Sequence, residues 1–176
     1  DRGWVTSAVI TKWSGQESGT RVLTLHDASP CLRNNRSVVI QAICYEAENF
    51  KCTSLELLND PHVASSAISR RVRMIEHADE VAKDTEEVML TALRAKAQHY
   101  SYTRGLSFVM QYASKRLRNS KGFMSVCLDG MYLKYASTDL QNDSQLAVLS
   151  ISNDFSASRF TSKRFAKDVD IIRALA

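Results

Sequence analysis

The hydrophobic period of this chain changes near Pro61, and that change limits its fold more than any other feature. Asn59 and Asp60 are side chains that accept hydrogen bonds at a helix start, and Pro61 suits the first helical position because it has no amide proton to leave unpaired. Beyond it, Ile68, Val72, Ile75, Ala82, Met89 and Leu93 recur at helical spacing. They predict a helix running to about Tyr100, with a kink in the acidic stretch 76–87. A second helix is expected over residues 103–117, with Leu106, Val109, Met110, Ala113 and Leu117 on one face.

On either side of this block the pattern suits strands. Residues 4–13, 20–27, 37–45 and 51–58 are rich in β-branched and aromatic residues, or alternate, with Ser14-Gly15, Ser29-Pro30 and Asn34-Asn35 in the connections. The run 37–45 is apolar on both faces, which predicts a central strand. On 51–58, Thr53, Leu55 and Leu57 fall together. After Lys121-Gly122, residues 123–128 and 131–135 flank Asp129-Gly130, a pair suited to a two-residue hairpin turn. Residues 145–151 read as a further strand. Ser156 or Ser158 then caps a last helix with Phe165, Val169 and Ile172 inward. The predicted fold is α+β: an N-terminal antiparallel four-strand meander, a central helical pair, three further strands and a C-terminal helix. The expectation is one globular domain over 1–176, with no internal repeat and no linker long enough to divide it.

Composition narrows the class. Six Gly and two Pro in 176 residues exclude a low-complexity chain. No apolar run reaches the roughly 18–20 residues that span a bilayer. Cys31, Cys44, Cys52 and Cys127 form no CxxC pair, and Cys44 and Cys127, placed inside strands, are expected to act as small buried hydrophobes. Reduced cysteines point to the cytoplasm or nucleus. The opening residue, Asp1, points to a trimmed or processed chain.

Charge is the most suggestive layer. The net +4 divides into −1 over residues 1–60 (six basic, seven acidic), −2 over 61–93 (four and six) and +7 over 94–176 (thirteen and six). Arg94, Lys96, Arg104, Lys115, Arg116, Arg118 and Lys121 are interleaved with Tyr100, Tyr102, Phe108 and Tyr112, and a second cluster is formed by Arg159, Lys163, Arg164 and Lys167. Cations that neutralise phosphates beside rings that stack on bases suit nucleic acid, nucleoprotein or an anionic membrane surface. The competing explanation is a solvated face. Glu76, Glu80, Asp84 and Glu87 fall near one helical stripe and suit a protein contact. Trp4 and Trp13, an odd number apart on a first strand, place one ring on an outer face and suggest a homo-oligomer or a protein partner.

Catalytic motifs are not found. The chain has no phosphate-cradling Gly loop, no GxSxG and no HExxH, so no cofactor, metal or catalytic residue is assigned. His26-Asp27 near Cys31, and His77 with Glu80, are isolated pairs without the further groups such chemistry needs. The expected function is a non-enzymatic binding or assembly protein whose basic C-terminal half contacts nucleic acid, nucleoprotein or an anionic surface. By composition alone this suits a small viral structural protein. A scaffolding subunit of a larger complex ranks second, and an enzyme with a dispersed site third.

Overall fold

The computed structural model describes residues 24–99, 108–127, 130–166 and 168. Among them there is no strand, so the α+β expectation is overturned: every regular element is an α-helix or a 3₁₀ turn. The chain divides into two compact units, Asp1–Ala95 and Lys96–Ala176.

The first unit contains α1 (Pro30–Arg33), α2 (Arg36–Tyr45), η1 (Ala47–Cys52), α3 (Leu55–Leu58), α4 (Pro61–Arg70), η2 (Val72–Glu76), α5 (Glu80–Lys83) and the greater part of α6 (Glu86–His99). A single module accounts for this order: a short four-residue helix, a corner, a longer helix and a 3₁₀ turn. The short helices start after Ser29, Ser54 and Asp79, at intervals of 25 residues. Each of these residues caps its helix, the Oγ of Ser29 accepting from the Leu32 amide and that of Ser54 from the Leu57 amide. Each short helix ends on an Asn or Asp (Asn34, Asn59, Asp84). In the first two modules the next residue caps the longer helix, Asn35 accepting from the Val38 amide and Asp60 from those of His62 and Val63. Two helices therefore meet at one polar corner with no loop between them.

Burial follows the same register. Counted from the residue before each long helix, the third, fourth, seventh and eighth positions are buried: Val38, Val39, Ala42 and Ile43 in α2, then Val63, Ala64, Ala67 and Ile68 in α4, then Val88, Met89, Ala92 and Leu93 in α6. That stripe packs α2 against α4, while η1 packs against α2, α4 and η2. Short helices are tied by a recurring main-chain bond. The Ser54 amide donates to the Arg33 carbonyl at 3.0 Å, and the Asp79 amide to the Leu58 carbonyl at 3.2 Å.

The second unit repeats the plan with α7 (Lys115–Arg118), α8 (Lys121–Val126), η3 (Gly130–Tyr135), α9 (Thr138–Gln141), α10 (Ser144–Asn153), η4 (Phe155–Phe160) and η5 (Lys163–Ala166). Ser114, Ser120, Ser137 and Asp143 are the caps. The same inter-module bonds recur, from the Ser137 amide to the Arg118 carbonyl at 3.4 Å and from the Ser162 amide to the Gln141 carbonyl at 3.2 Å. The described residues of both units thus form repeated modules of the kind that stack on their neighbours, contrary to the expectation of no repeat.

The expected strand 37–45 is α2, and 145–151 lies inside α10. In the expected strand 51–58, Ser54 is a cap, so Leu57 is buried while Leu55 is 80% exposed. The expected hairpin is replaced by α8 and η3 on either side of residues 128 and 129, which lie outside the described residues. The long helix from Pro61 is broken into α4, η2, α5 and α6, because Arg71 is extended and Asp79 opens a new cap. The helix expected over 103–117 closes at Met110, and Ser114 caps α7. Asp154, and neither Ser156 nor Ser158, caps the segment after α10, which is 3₁₀, although Phe165 is buried as expected. The expected strand 4–13 and the inward Val169 and Ile172 lie outside the described residues; of 20–27, only 24–27 are described, as an irregular turn.

One ion pair also repeats. The first residue of a long helix reaches the cap of the next: Arg36 Nε meets Asp60 Oδ2 at 3.0 Å, and Lys121 Nζ meets Asp143 Oδ2 at 2.7 Å. The Lys121 hydrogen bond, helped by the Leu146 amide, holds the Asp143 carboxyl below its ordinary value of 3.8. A carboxyl lowered by folding stabilises above the ordinary range, and that contribution is lost as pH falls through its folded value. Asp143→Ala is expected to cost about 1–2 kcal/mol at neutral pH, mainly as a lost cap. Thermal melts of both proteins at stepwise lower pH provide the check: the gap should narrow below 3.8.

Candidate polyanion-binding surface

The module register places the basic residues. Lys115 and Arg116 are the first two residues of α7, and Lys163 and Arg164 are the first two of η5, so both pairs follow a serine at the start of a short helical element. Lys115, Arg116 and Lys163 are exposed, as is Arg159 on η4. Between them in module order, α9 offers Thr138 and Asp139 at the same positions, so the basic edge is interrupted by one acid. Both elements are single turns of four residues, too short for a helix dipole to decide where their cations stand.

The remaining predicted cations divide. Lys121 is drawn into the inter-module corner, its Nζ donating to Asp143 at 2.7 Å and to Gln145 Oε1 at 2.8 Å. Arg118 is half-buried with its Nε enclosed. Arg94 is exposed on α6 in the first unit. Lys96 lies on α6 and Arg164 on η5, but their side chains are outside the described set, as are Arg104 and Lys167 altogether. Of the interleaved rings, Phe108 and Tyr112 stack edge to face with centroids 5.3 Å apart, and Tyr100 and Tyr102 lie outside the described residues.

The acidic stripe is not one stripe. Glu76 ends η2, Glu80 begins α5, Asp84 closes α5 and Glu87 lies on α6. Glu80 pairs with Lys83 at 3.1 Å, and Asp84 is half-buried. Trp4 and Trp13 are outside the described residues. His26 Nδ1 meets Asp27 Oδ1 at 3.0 Å as an exposed surface pair. The four cysteines are free thiols; Cys127 is buried as expected, whereas Cys44 is exposed on the outer side of α2. Among the described residues no three His, Cys, Asp or Glu come together as a metal-binding group, and no helix is long and apolar enough to cross a membrane.

An open apolar face escaped the sequence reading. Val148 and Leu149 on α10 are 47% and 37% exposed and, with Ser144, Gln145 and Ser152, line a shallow concavity of about 420 Å³. Val126 holds on α8 the position that Leu149 holds on α10, and it is 52% exposed. The signal that could have revealed this face is the recurrence of a capping residue, an apolar residue three positions on and an Asn or Asp two further on, as in Ser54-Leu57-Asn59, Ser114-Leu117-Asn119 and Ser137-Leu140-Asn142.

Comparison with protein-family models, with curated proteins and with solved structures returns no significant match.

Proposed function

We propose that this chain is a helical-repeat binding protein of the cytoplasm or nucleus whose second unit takes an anionic macromolecule, with single-stranded nucleic acid the partner that suits it best. The supporting observation is the exposure of Lys115 and Lys163 at the same module position, whereas Lys121 is bound by Asp143 and Gln145; Arg116, next to Lys115, is exposed as well. A stack of modules displays one residue position again and again along an edge, and an extended polymer with regularly spaced charges can meet several such positions at once. With exposed Arg159, these cations on flexible stems give phosphate contact without base readout, so affinity should depend on salt far more than on sequence.

Fluorescence anisotropy with a single-stranded oligonucleotide, titrated at several salt concentrations, tests this reading. The triple variant Lys115→Glu/Arg116→Glu/Lys163→Glu is expected to weaken binding at least tenfold and to lower the salt slope by about 2, since each single-strand phosphate contact contributes about 0.7. Binding that ignores both salt and the triple variant overturns the proposal.

A further inference from the structure

We propose that this chain also binds a second copy of itself, the short-helix edge of the first unit of one copy docking on the basic short-helix edge of the second unit of the other. The first unit's edge is apolar as well as acidic. Leu55, the first residue of α3, is 80% exposed, and Val81, the second residue of α5, is 60% exposed. They stand in successive modules, each beside an acid. Glu56 follows Leu55 and accepts from Asn34 Nδ2 at 2.9 Å, and Glu80 precedes Val81 with its side chain 83% exposed. Exposed apolar residues at two helix starts, where the short-helix core position is already filled by buried Leu57 and Ala82, have no role in the fold of their own unit.

The same two positions in the second unit carry Lys115 and Arg116 on α7, and Lys163 on η5. The two edges are therefore opposite in sign at these positions, with Asp139 of α9 as the one acid between the two basic elements. The methylene stems of lysine and arginine can cover Leu55 and Val81 while their charged ends meet Glu56 and Glu80. Whole-unit charge agrees: residues 1–95 hold eleven basic and thirteen acidic side chains, and residues 96–176 hold twelve and six. Each copy carries both halves of the contact, so the association is heterologous and further copies can add at either end. This inference shares Lys115 and Arg116 with the polyanion reading but does not rest on it, because the contact needs no nucleic acid.

Sedimentation of the full chain, free of nucleic acid and at low salt, is expected to give a mass that rises above the 19.7 kDa monomer across the micromolar range and falls back as salt is added. Glu56→Lys/Glu80→Lys and Lys115→Glu/Arg116→Glu should each sediment as monomers, since either double variant sets like charges against each other. An equimolar mixture of the two should associate again, because the unaltered basic edge of one meets the unaltered acidic edge of the other. A monomeric wild type, an oligomer unmoved by both double variants, or a mixture that stays monomeric each overturns the inference. Recovery confined to the mixture upholds it, whatever the oligonucleotide titration shows.

Discussion

Phe123→Ala is expected to destabilise the second unit by about 3–5 kcal/mol, and Phe50→Ala the first by a similar amount. Both rings are fully buried, Phe123 as the third residue of α8 and Phe50 within η1. They serve different layers of the module. The position of Phe123 is the one that Val38 and Val63 hold on their long helices, and α8 packs against α7 and α10. Phe50 belongs to the 3₁₀ layer, and η1 packs against α2, α4 and η2. Removing either ring opens a cavity between elements too short to hold their conformation alone, since isolated helices of this length are marginal in water. Hydrogen exchange provides the check: Phe50→Ala should speed exchange most in α2 and α4, and Phe123→Ala most in α8 and α10. Uniform acceleration along the whole chain from either variant would contradict an array in which each module leans mainly on its neighbours.

Asn49→Leu is expected to cost about 2–3 kcal/mol although leucine is similar in size and apolar. Asn49 is 4% exposed; its Oδ1 accepts from the Leu25 amide at 2.8 Å and its Nδ2 donates to the Ala42 carbonyl at 2.9 Å. One side chain thus fastens the segment ahead of α1 to the end of α2 and to η1. The Ala42 carbonyl still accepts from the Glu46 amide, so the larger loss is the Leu25 amide, part of a residue that is itself 4% exposed. Asn49→Asp separates hydrogen bonding from packing. It retains an acceptor for Leu25 but buries a charge, so it should be less destabilising at acid pH, where the carboxyl is neutral, than at pH 7. Urea titrations of the three proteins at both pH values would show this, and an Asn49→Leu cost below about 1 kcal/mol would refute the bridging role.

Much of the local grammar was legible. Asp60 and Pro61 mark a helix start in the sequence and form one in the structure. The apolar run 37–45 reads as buried, and Val38, Val39, Ala42 and Ile43 are. Whether such a run is helix or strand is a different matter. Nine residues rich in Val and Ile, buried on adjacent positions, satisfy either geometry, and β-branched side chains favour the strand. The polar corners deepened the ambiguity. Asn34-Asn35 looks like a turn between strands, whereas Asn34 closes one helix and Asn35, without an intervening loop, caps the next, as Asn142 and Asp143 do in the second unit. The apparent long period from Ile68 to Leu93 has the same origin. Those residues come from α4, η2, α5 and α6, and all but Val72 are buried because consecutive elements turn inward in register.

For the candidate surfaces, the sequence by itself determined which residues carry charge and that the positive excess lies in the second half. It also fixed the caps, because a serine or aspartate three residues ahead of a leucine amide can satisfy that amide locally. Tertiary structure alone decided which cations remain at the surface. Lys115 and Lys121 are equally basic and only six positions apart, yet Lys115 is exposed while Lys121 is bound to the cap of the following module. The reason is physical: the partner that claims Lys121 is Asp143, a module away in sequence, and only stacking brings the two to 2.7 Å. Stacking likewise made the apolar runs 37–45 and 145–151 helical, since a module can bury its stripe only against the next one.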